Sequence, residues 1–379
     1  MRIAHVSDCY LPRLGGIEVQ VRELARRQVA AGHEVHVITA TPGHDGVFAG
    51  TEVLDGVVVH RVAAHLPFEL PVHPRTAHHV RAILAARPVD VVHVHAGVVS
   101  PFAWSGMRAT ARDGVPTLVT VHSVWGPAAR PGFRVLDVLA RWSRWGVQPS
   151  AVSRIAAAAV SEVIGGRGDV LVVPNGIDAD DWVVDPVQHD PADVHAVAVM
   201  RLAPRKRTIP LLEMLRDARG RAARDGVRLR LTLVGAGPMR AKVASFVREH
   251  ALVDAVALPG RLDHDGIRDL YAHADLFVQP SVKESFGLAA LEARTAGLPV
   301  VAREETGITE FVRNEVEGLL VGSDEAMTDA LVRLATDTAL RQRIAAHNRE
   351  IRPAQVWPRV LETVDAAYAA ATRTMAARR

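Results

Sequence analysis

Short apolar runs recur along the chain, each closed by glycine or proline and followed by a stretch with helical spacing. The first is Arg2–Ser7, which leads through a loop over 8–16 into an amphipathic helix from about Ile17 to Ala31. Gly32 ends that helix, and Glu34–Thr39 is the next strand. Strand, glycine loop, helix and strand in this order open a parallel α/β domain. Further strands are predicted at Val57–Val62, Val89–His95 and Thr117–His122, with helices between, then near Ala151–Ser153 before a helix over Arg154–Ile164.

Gly165-Gly166-Arg167-Gly168-Asp169 reads as a hinge, after which the α/β rhythm starts again. Val170–Val173 is expected to be a strand of the second domain. Strands at Ala196–Met200, Arg228–Val234, Val256–Leu258, Leu276–Gln279 and Pro299–Ala302 follow, alternating with helices over Ile209–Arg219, Met239–His250, Asp265–Ala274 and Phe286–Ala296. Arg352-Pro353 breaks the chain before a last helix from Trp357 to about Thr372. The pattern predicts two α/β domains, 1–169 and 170–356, with 357–379 as the terminal helix; 379 residues suffice for two separate cores.

Composition narrows the class. No apolar run approaches the ~20 residues that span a bilayer, and the start of the chain is too short in apolar residues for a secretory signal. Cys9 is the only cysteine, which excludes an intrachain disulfide and fits a reducing cytoplasmic compartment. Net charge is +3 with both signs interspersed, so no nucleic-acid groove is expected. Only three basic residues are lysine: Lys206, Lys242 and Lys283. In an arginine-biased chain a lysine points to a site that needs a compact point charge.

The stretch Lys283–Val301 carries the most chemistry. Ser285 is the expected N-cap of its helix, and Gly297 with Pro299 the stop. The amides of Phe286, Gly287 and Leu288 would face any anion above the helix start. Glu284 and Glu292 bracket that start with seven residues between them, which places Glu292 roughly 9–10 Å along the axis from the cap. That is the reach from a diphosphate to the far hydroxyls of a nucleotide ribose. An ordinary helix with one exposed glutamate has the same spacing, so both readings stand for the stretch alone.

Arg201 and Lys206 follow another strand end, and two cations beside a helix N-terminus suit a diphosphate. Arg205 and Arg207 next to them also fit a plain basic surface cluster. The loop Pro12-Arg13-Leu14-Gly15-Gly16 lets backbone approach a ligand, yet it lacks the G-x-G-x-x-G of a dinucleotide site. His93, His95 and His122 fall at or near strand ends, but no carboxylate or cysteine joins them, so a zinc centre is not expected. His122, followed by an irregular loop, is the one expected to meet substrate. A helix over Arg130–Trp145 carries Arg134, Arg141 and Arg144 beside Phe133, Trp142 and Trp145. It reads as a sheet-covering helix with a solvated arginine face interrupted by Asp137, or as a membrane-surface helix.

Taken together these stretches resemble retaining glycosyltransferases of the GT-B fold, family four, including the phosphatidylinositol mannosyltransferase-like and other group 1 glycosyl transferases. ESFGLAALEARTAGLPVV matches their E-x7-E signature. PRLGGIEVQV, His122, VPNGID, Arg201 with Lys206, VGAGP, PGRL, GLLV and Trp357 occur in the family's order.

The resemblance implies two Rossmann-like domains facing across a cleft, with the last helix crossing back to the N-terminal, acceptor-binding domain. It implies that Gly15, Gly16 and Gly235, with Arg201 and Lys206, meet the donor diphosphate. Ser285, Phe286, Gly287 and Leu288 complete that cradle, Arg261 and Leu262 receive the base, and Glu292 holds the ribose. Glu284 takes the sugar hydroxyls, and His122 sits beside the sugar and the scissile bond. The implied partners are a nucleoside-diphosphate sugar (GDP-mannose or a UDP-hexose) and a hydroxyl acceptor: an inositol lipid, a glycan intermediate or a small metabolite.

No metal or cofactor is implied, because the cations and helix terminus take the phosphate charge; Asp178-Ala179-Asp180, which elsewhere could bind a metal, then reads as a solvated loop. The sequence departs from the family at Met200 and Arg207, where glycines are usual, and in the acidic loop Glu304–Ile308. A nucleoside-diphosphate-sugar epimerase or a non-catalytic sugar-nucleotide binder of the same fold are the rival expectations.

Overall fold

The computed structural model describes residues 1–13, 15–64, 73–126 and 129–378, leaving aside the side chain of Asp45. It divides into two compact units, Met1–Gly176 with Trp357–Arg379, and Ile177–Val356.

In the N-terminal unit β1 (Arg2–Ser7), α1 (Gly16–Ala30) and β2 (Glu34–Thr39) form the first βαβ turn. β3 (Ala49–Leu54) and β4 (Val57–Val62) follow, then α2 (Thr76–Ala86), β5 (Val91–Ala96), α3 (Pro101–Arg112) and β6 (Thr117–Val121). α4 (Arg130–Ala140), β7 (Gln148–Ala151), α5 (Arg154–Val163) and the two-residue β8 (Leu171–Val172) complete it. The sheet order is β3-β4-β2-β1-β5-β6-β7-β8. All pairings are parallel except β3 with β4, a hairpin that the sequence pattern did not anticipate. Its turn is Asp55-Gly56, both at positive φ (52° and 80°), the geometry that an Asp-Gly pair favours between two strands.

The second unit contains β9 (Asp193–Val199), α6 (Thr208–Ala222), β10 (Arg228–Val234), α7 (Arg240–Glu249) and β11 (Val256–Gly260). α8 (His264–Ala272), β12 (Leu276–Gln279), α9 (Leu288–Thr295), β13 (Val300–Arg303), β14 (Gly318–Val321), α10 (Asp324–Thr336) and α11 (Thr338–Glu350) follow. Its six strands are all parallel in the order β11-β10-β9-β12-β13-β14. β9 and β12 are neighbours where the strand order reverses, the switch point at which open α/β sheets bind ligands beyond the strand C-termini. The core on one face joins Ala196, Leu211, Leu215, Leu231, Val278 and Leu331; β-branched and leucine side chains dominate because both faces of a parallel sheet are covered.

The last helix, α12 (Trp357–Ala376), belongs to the N-terminal unit. Val360, Val364, Ala367 and Ala371 pack with Ile3, Leu24, Val91 and Leu118 against the sheet. The crossing is fastened where the chain passes Gly176. Gln20 accepts from the Gly176 amide (3.0 Å) and donates to its carbonyl (3.1 Å), and the Trp357 ring lies where a Cβ on Gly176 would stand.

Two expectations are corrected here. The domain boundary does not fall at residue 169: Leu171–Val172 pairs with Ser150–Ala151, so the expected first strand of the second domain is the edge strand of the first sheet. The helix over 130–145 also differs. It ends at Ala140, Arg141 turns left-handed (φ 52°), and Trp142–Arg144 forms a separate turn. Asp137 is the buried residue, accepting from Ser143 N and Oγ (both 2.9 Å) and from Arg167 (3.1 Å). Burying a carboxylate requires such partners, and supplying them rotates the aliphatic face outward: Val135, Val138 and Leu139 are 58%, 63% and 78% exposed.

Candidate active site

The charged part of the site is built on the second unit. After β9 the chain passes Arg201 and makes a short turn over Pro204–Lys206. After β12 it runs through Gln279 and Ser281 to Glu284. These two neighbouring strand ends bring Lys206 Nζ to 2.5 Å from Glu284 Oε2, and Gln279 Nε2 donates to the same oxygen at 3.3 Å. The Glu284 carbonyl accepts from the Gly307 amide (2.8 Å), so the acidic loop that departs from the family seats the Glu284 loop from behind. Arg201 is exposed, as is Arg261 after β11, with Leu262 half-buried beside it.

Ser285 is not the N-cap. Gly287 takes that position at φ 94°, a left-handed backbone where a side chain would be strained, and a Cβ there would stand 2.7 Å from Ile308. The helix therefore begins at Leu288. Ala290 already bonds the Gly287 carbonyl, which leaves the first-turn amides of Leu288 and Ala289 without a partner inside the helix. Phe286 is buried against Phe311 and anchors the loop rather than lining it. Glu292 sits roughly 7–8 Å along the axis from Gly287, closer than the earlier start implied. Burial pushes its carboxyl up to about 7.

Gly235 is fixed by backbone geometry. It lies at φ 137°, and a Cβ would stand 1.9 Å from the Met200 carbonyl. Arg207, one of the two departures, occupies the left-handed region at φ 57°, which explains why a glycine is usual there; its guanidinium pairs with Asp324. Met200, the other, is a core side chain.

In the N-terminal unit Gly15 caps α1 in extended backbone beside the Glu18 carboxylate, and Gly16 is the first helical residue. Leu14, between this pair and Arg13, lies outside the described residues. His122 follows β6 directly and its amide bonds Ala96 (2.8 Å). The structure brings His93, His95 and His122 together, as their strand positions suggested, and adds His5 from β1. His5 Nδ1 lies 2.9 Å from His95 Nε2, and His95 Nδ1 lies 3.0 Å from His122 Nε2. Burial lowers His5 and His122 to about 4 and His93 and His95 well below 6.5, so all four are neutral at pH 7.

One nitrogen each of His5, His93 and His95 fall within 4.8 Å of one another, a spacing a metal could use. Every nitrogen of these three rings, however, already has a hydrogen-bond partner. Asp180 of the Asp-x-Asp triplet is paired with Arg352 (2.5 Å).

Sequence reasoning missed His5, Gln28 and Tyr368, which complete the histidine cluster from three separate elements. It also missed Asp8, which is buried just beyond β1, where desolvation raises it to about 6 and Oδ2 is unpaired. The signal for Asp8 was its place directly after a strand. Between β5 and β6 the chain forms α3, with Phe102 and Met107 buried in the core.

Two parallel α/β units, with charged residues gathered at the strand ends of the second and a C-terminal helix returning to the first, have the architecture of GT-B sugar transferases. Residues 14–181 match the family described as Glycosyltransferase Family 4, and residues 186–351 match Glycosyl transferases group 1. The D-inositol 3-phosphate glycosyltransferase of Acidothermus cellulolyticus is 30% identical over 391 residues, covering 90% of this chain and 83% of the relative. The gpi3 subunit of phosphatidylinositol N-acetylglucosaminyltransferase from Schizosaccharomyces pombe is 25% identical over 96% of this chain and 79% of its own. Anabaena Alr3699/HepE, solved with UDP and glucose, has the same fold: TM-score 0.74 at 19% identity, over 98% of this chain and all of that one (100%).

The chain belongs to glycosyltransferase family 4. It is a glycosyltransferase that takes its sugar from a nucleotide sugar. Among the described residues no helix is long and apolar enough to cross a membrane.

Proposed function

We propose that this protein transfers a hexosyl group from a nucleoside-diphosphate sugar to a hydroxyl of an inositol-bearing acceptor, with retention at the anomeric carbon and without a metal. The observation that carries the reading is the Lys206–Glu284 pair beside a helix start, with Glu292 on the same helix. A donor diphosphate takes over the Lys206 ammonium and the free amides of α9, and Arg201 adds a second cation. Lys206 then leaves Glu284 free to accept from sugar hydroxyls. Glu292 accepts from the ribose diol, and Arg261 with Leu262 borders the base.

In the transfer step the C1–O bond to the β-phosphate breaks and a C1–O bond to the acceptor forms on the same face. The departing phosphate oxygen takes the acceptor proton, and the nucleoside diphosphate leaves. What the protein must stabilise is the negative charge that grows on the diphosphate. Those cations and amides do this, so the Asp178–Asp180 triplet has no metal to hold. His122 is read as a contact of the donor sugar.

The inositol ring as acceptor is supported by the names of both relatives, and a UDP-hexose ranks ahead of GDP-mannose on the UDP and glucose of the Anabaena protein. A lipid-linked acceptor is supported by α4, whose exposed Val135, Val138 and Leu139 sit among Arg130, Arg134, Arg141 and Arg144. That pattern suits the surface of an anionic bilayer and supports a peripheral position at the cytoplasmic face.

The test incubates the protein with UDP- and GDP-hexoses, with and without inositol phosphate or phosphatidylinositol vesicles, in EDTA. Transfer to an inositol acceptor with retained anomeric configuration is expected, and vesicles should co-sediment the protein through α4. Free epimer without acceptor would establish the epimerase instead. Tight nucleotide binding with no diphosphate release under any acceptor would establish a binding protein.

A further inference from the structure

The buried histidines form one end of a single hydrogen-bond chain whose direction is set at its other end. Ser150 Oγ lies 3.0 Å from the Val119 carbonyl, which can only accept, so the one serine proton is committed there. Ser150 must then accept from Thr120 Oγ1 (2.7 Å), which commits the threonine proton. Thr120 in turn accepts from His93 Nε2 (2.7 Å), so the His93 proton is on Nε2 and its Nδ1 is a bare acceptor. Tyr368 Oη, 3.1 Å away, supplies that Nδ1 with its only proton and therefore accepts from Gln28 Nε2 (2.9 Å). Gln28 is thereby oriented, and its Oε1 accepts from His5 Nε2 (2.7 Å). His5 Nδ1 is then bare and accepts from His95 Nε2 (2.9 Å), and His95 Nδ1 accepts from His122 Nε2 (3.0 Å).

We propose that this chain, running from the Val119 carbonyl through Ser150, Thr120, His93, Tyr368, Gln28, His5 and His95, locks His122 in the Nε2–H form. His122 Nδ1 is thereby fixed as an acceptor. Among the described residues that Nδ1 has no partner. Tyr368, Gln28, His5 and His95 are positioning residues, and the keystone Tyr368 is carried by the C-terminal helix, more than 350 residues after β1 begins. The counting holds because no imidazole in the chain carries a second proton, in line with their burial. It also accounts for the three-histidine cluster without an ion. The consequence for turnover rests on the reading of His122 as a sugar contact: a bare Nδ1 accepts a hydrogen bond from a hydroxyl and cannot donate one.

Long-range 1H–15N spectra of 15N-histidine-labelled protein read the tautomer directly, independent of any activity. His5, His93, His95 and His122 are all expected as Nε2–H in the native protein; Nδ1–H at any of the four, or one equivalent of tightly bound zinc, overturns the proposal. Tyr368→Phe and Ser150→Ala each remove the fixed direction. Either should let His122 populate Nδ1–H, a shift of about tenfold in the tautomer ratio for the bias of one net hydrogen bond. A His122 signal unmoved in both folded variants overturns the chain. A moved signal with kcat unchanged supports the chain and removes His122 from the sugar site.

Discussion

The two units solve the problem of placing polar groups in opposite ways. In the second unit the candidate site is charged and close to solvent: Lys206 and Glu284 meet at neighbouring strand ends, with side chains 17% and 12% exposed. Charge there needs only approximate placement, because a point charge on a flexible stem acts at any angle. In the N-terminal unit the cluster is neutral, with His5, His93 and His95 buried and His122 half-buried at its end, and each member depends on the proton count of the next. The first arrangement tolerates local change and fails when a charge is lost. The second tolerates no break but has no charge to lose. The difference teaches where mutations should act: on binding and barrier height in the second unit, on hydrogen-bond direction in the first.

The largest effect should come from Lys206. Lys206→Met removes the cation nearest Glu284 and is expected to lower kcat by about 10²–10³, the range for losing one preorganised group that stabilises developing charge. Glu284→Gln should also lower kcat. Because the two side chains pair with each other, the double variant should lose less than the product of the single losses. A strictly multiplicative double variant would mean that the pair does not act as a unit. A kcat for Lys206→Met within threefold of the parent would remove Lys206 from the site.

The charged site was legible in the sequence because its residues follow strand ends within short, recognisable stretches, and strand ends are what a hydrophobic pattern locates best. The alternation of strands and helices was enough to set Arg201, Lys206 and Glu284 after strand ends and Glu292 on the helix, while reading them together as a donor site needed the family resemblance. What was not legible there is local. The cap moved from Ser285 to Gly287 because the Gly307 amide bonds the Glu284 carbonyl, a contact between segments more than twenty residues apart. The histidine chain was legible only in part, since His93 and His95 share a strand, whereas Gln28 and Tyr368 enter from helices whose polar positions look solvated. α4 failed for the same reason: Asp137 reads as a surface residue until Ser143 and Arg167 are known to meet it.

A middle-sized effect tests Glu292, a half-buried carboxylate of the charged site. Its pKa is raised to about 7 from an ordinary 4.5 by burial. For the free protein the sign is that the protonated form is the comfortable one: its contribution to stability is full below about 4.5 and is lost as pH rises through about 7. A ribose diol donates to the carboxylate and favours ionisation, so donor binding releases a proton below about 7. Affinity for the nucleotide sugar, whose phosphates do not titrate in this range, should therefore rise about tenfold from pH 6 to pH 8 and then level off. Glu292→Gln should bind more weakly and show no such rise. A pH-independent affinity in the parent, measured by calorimetry, would place the ribose elsewhere.

The smallest effect concerns the two departures from family glycines, and it separates them. Arg207 holds a left-handed backbone, which costs a residue with a side chain about 1–2 kcal/mol. Arg207→Gly relieves that cost but adds roughly 0.5–1 kcal/mol of unfolded-state entropy. It also removes a pair with Asp324 that is partly open to solvent and worth about 0–1 kcal/mol. These terms nearly cancel, so stability should change by less than about 1 kcal/mol, a shift of only a few degrees in Tm for a unit of this size, with kcat unaltered. Met200→Gly lies at a neighbouring bend yet removes a core side chain, and should cost about 2–5 kcal/mol. The contrast follows from what each residue does: Arg207 bears a backbone angle and a half-open ion pair, whereas Met200 fills space under the sheet. A large loss from Arg207→Gly would mean that its guanidinium, whose Nε is buried without a hydrogen-bond partner among the described residues, does more than reach Asp324. The place to look would then be the phosphate side of the Lys206 turn, since that turn is what Arg207 closes.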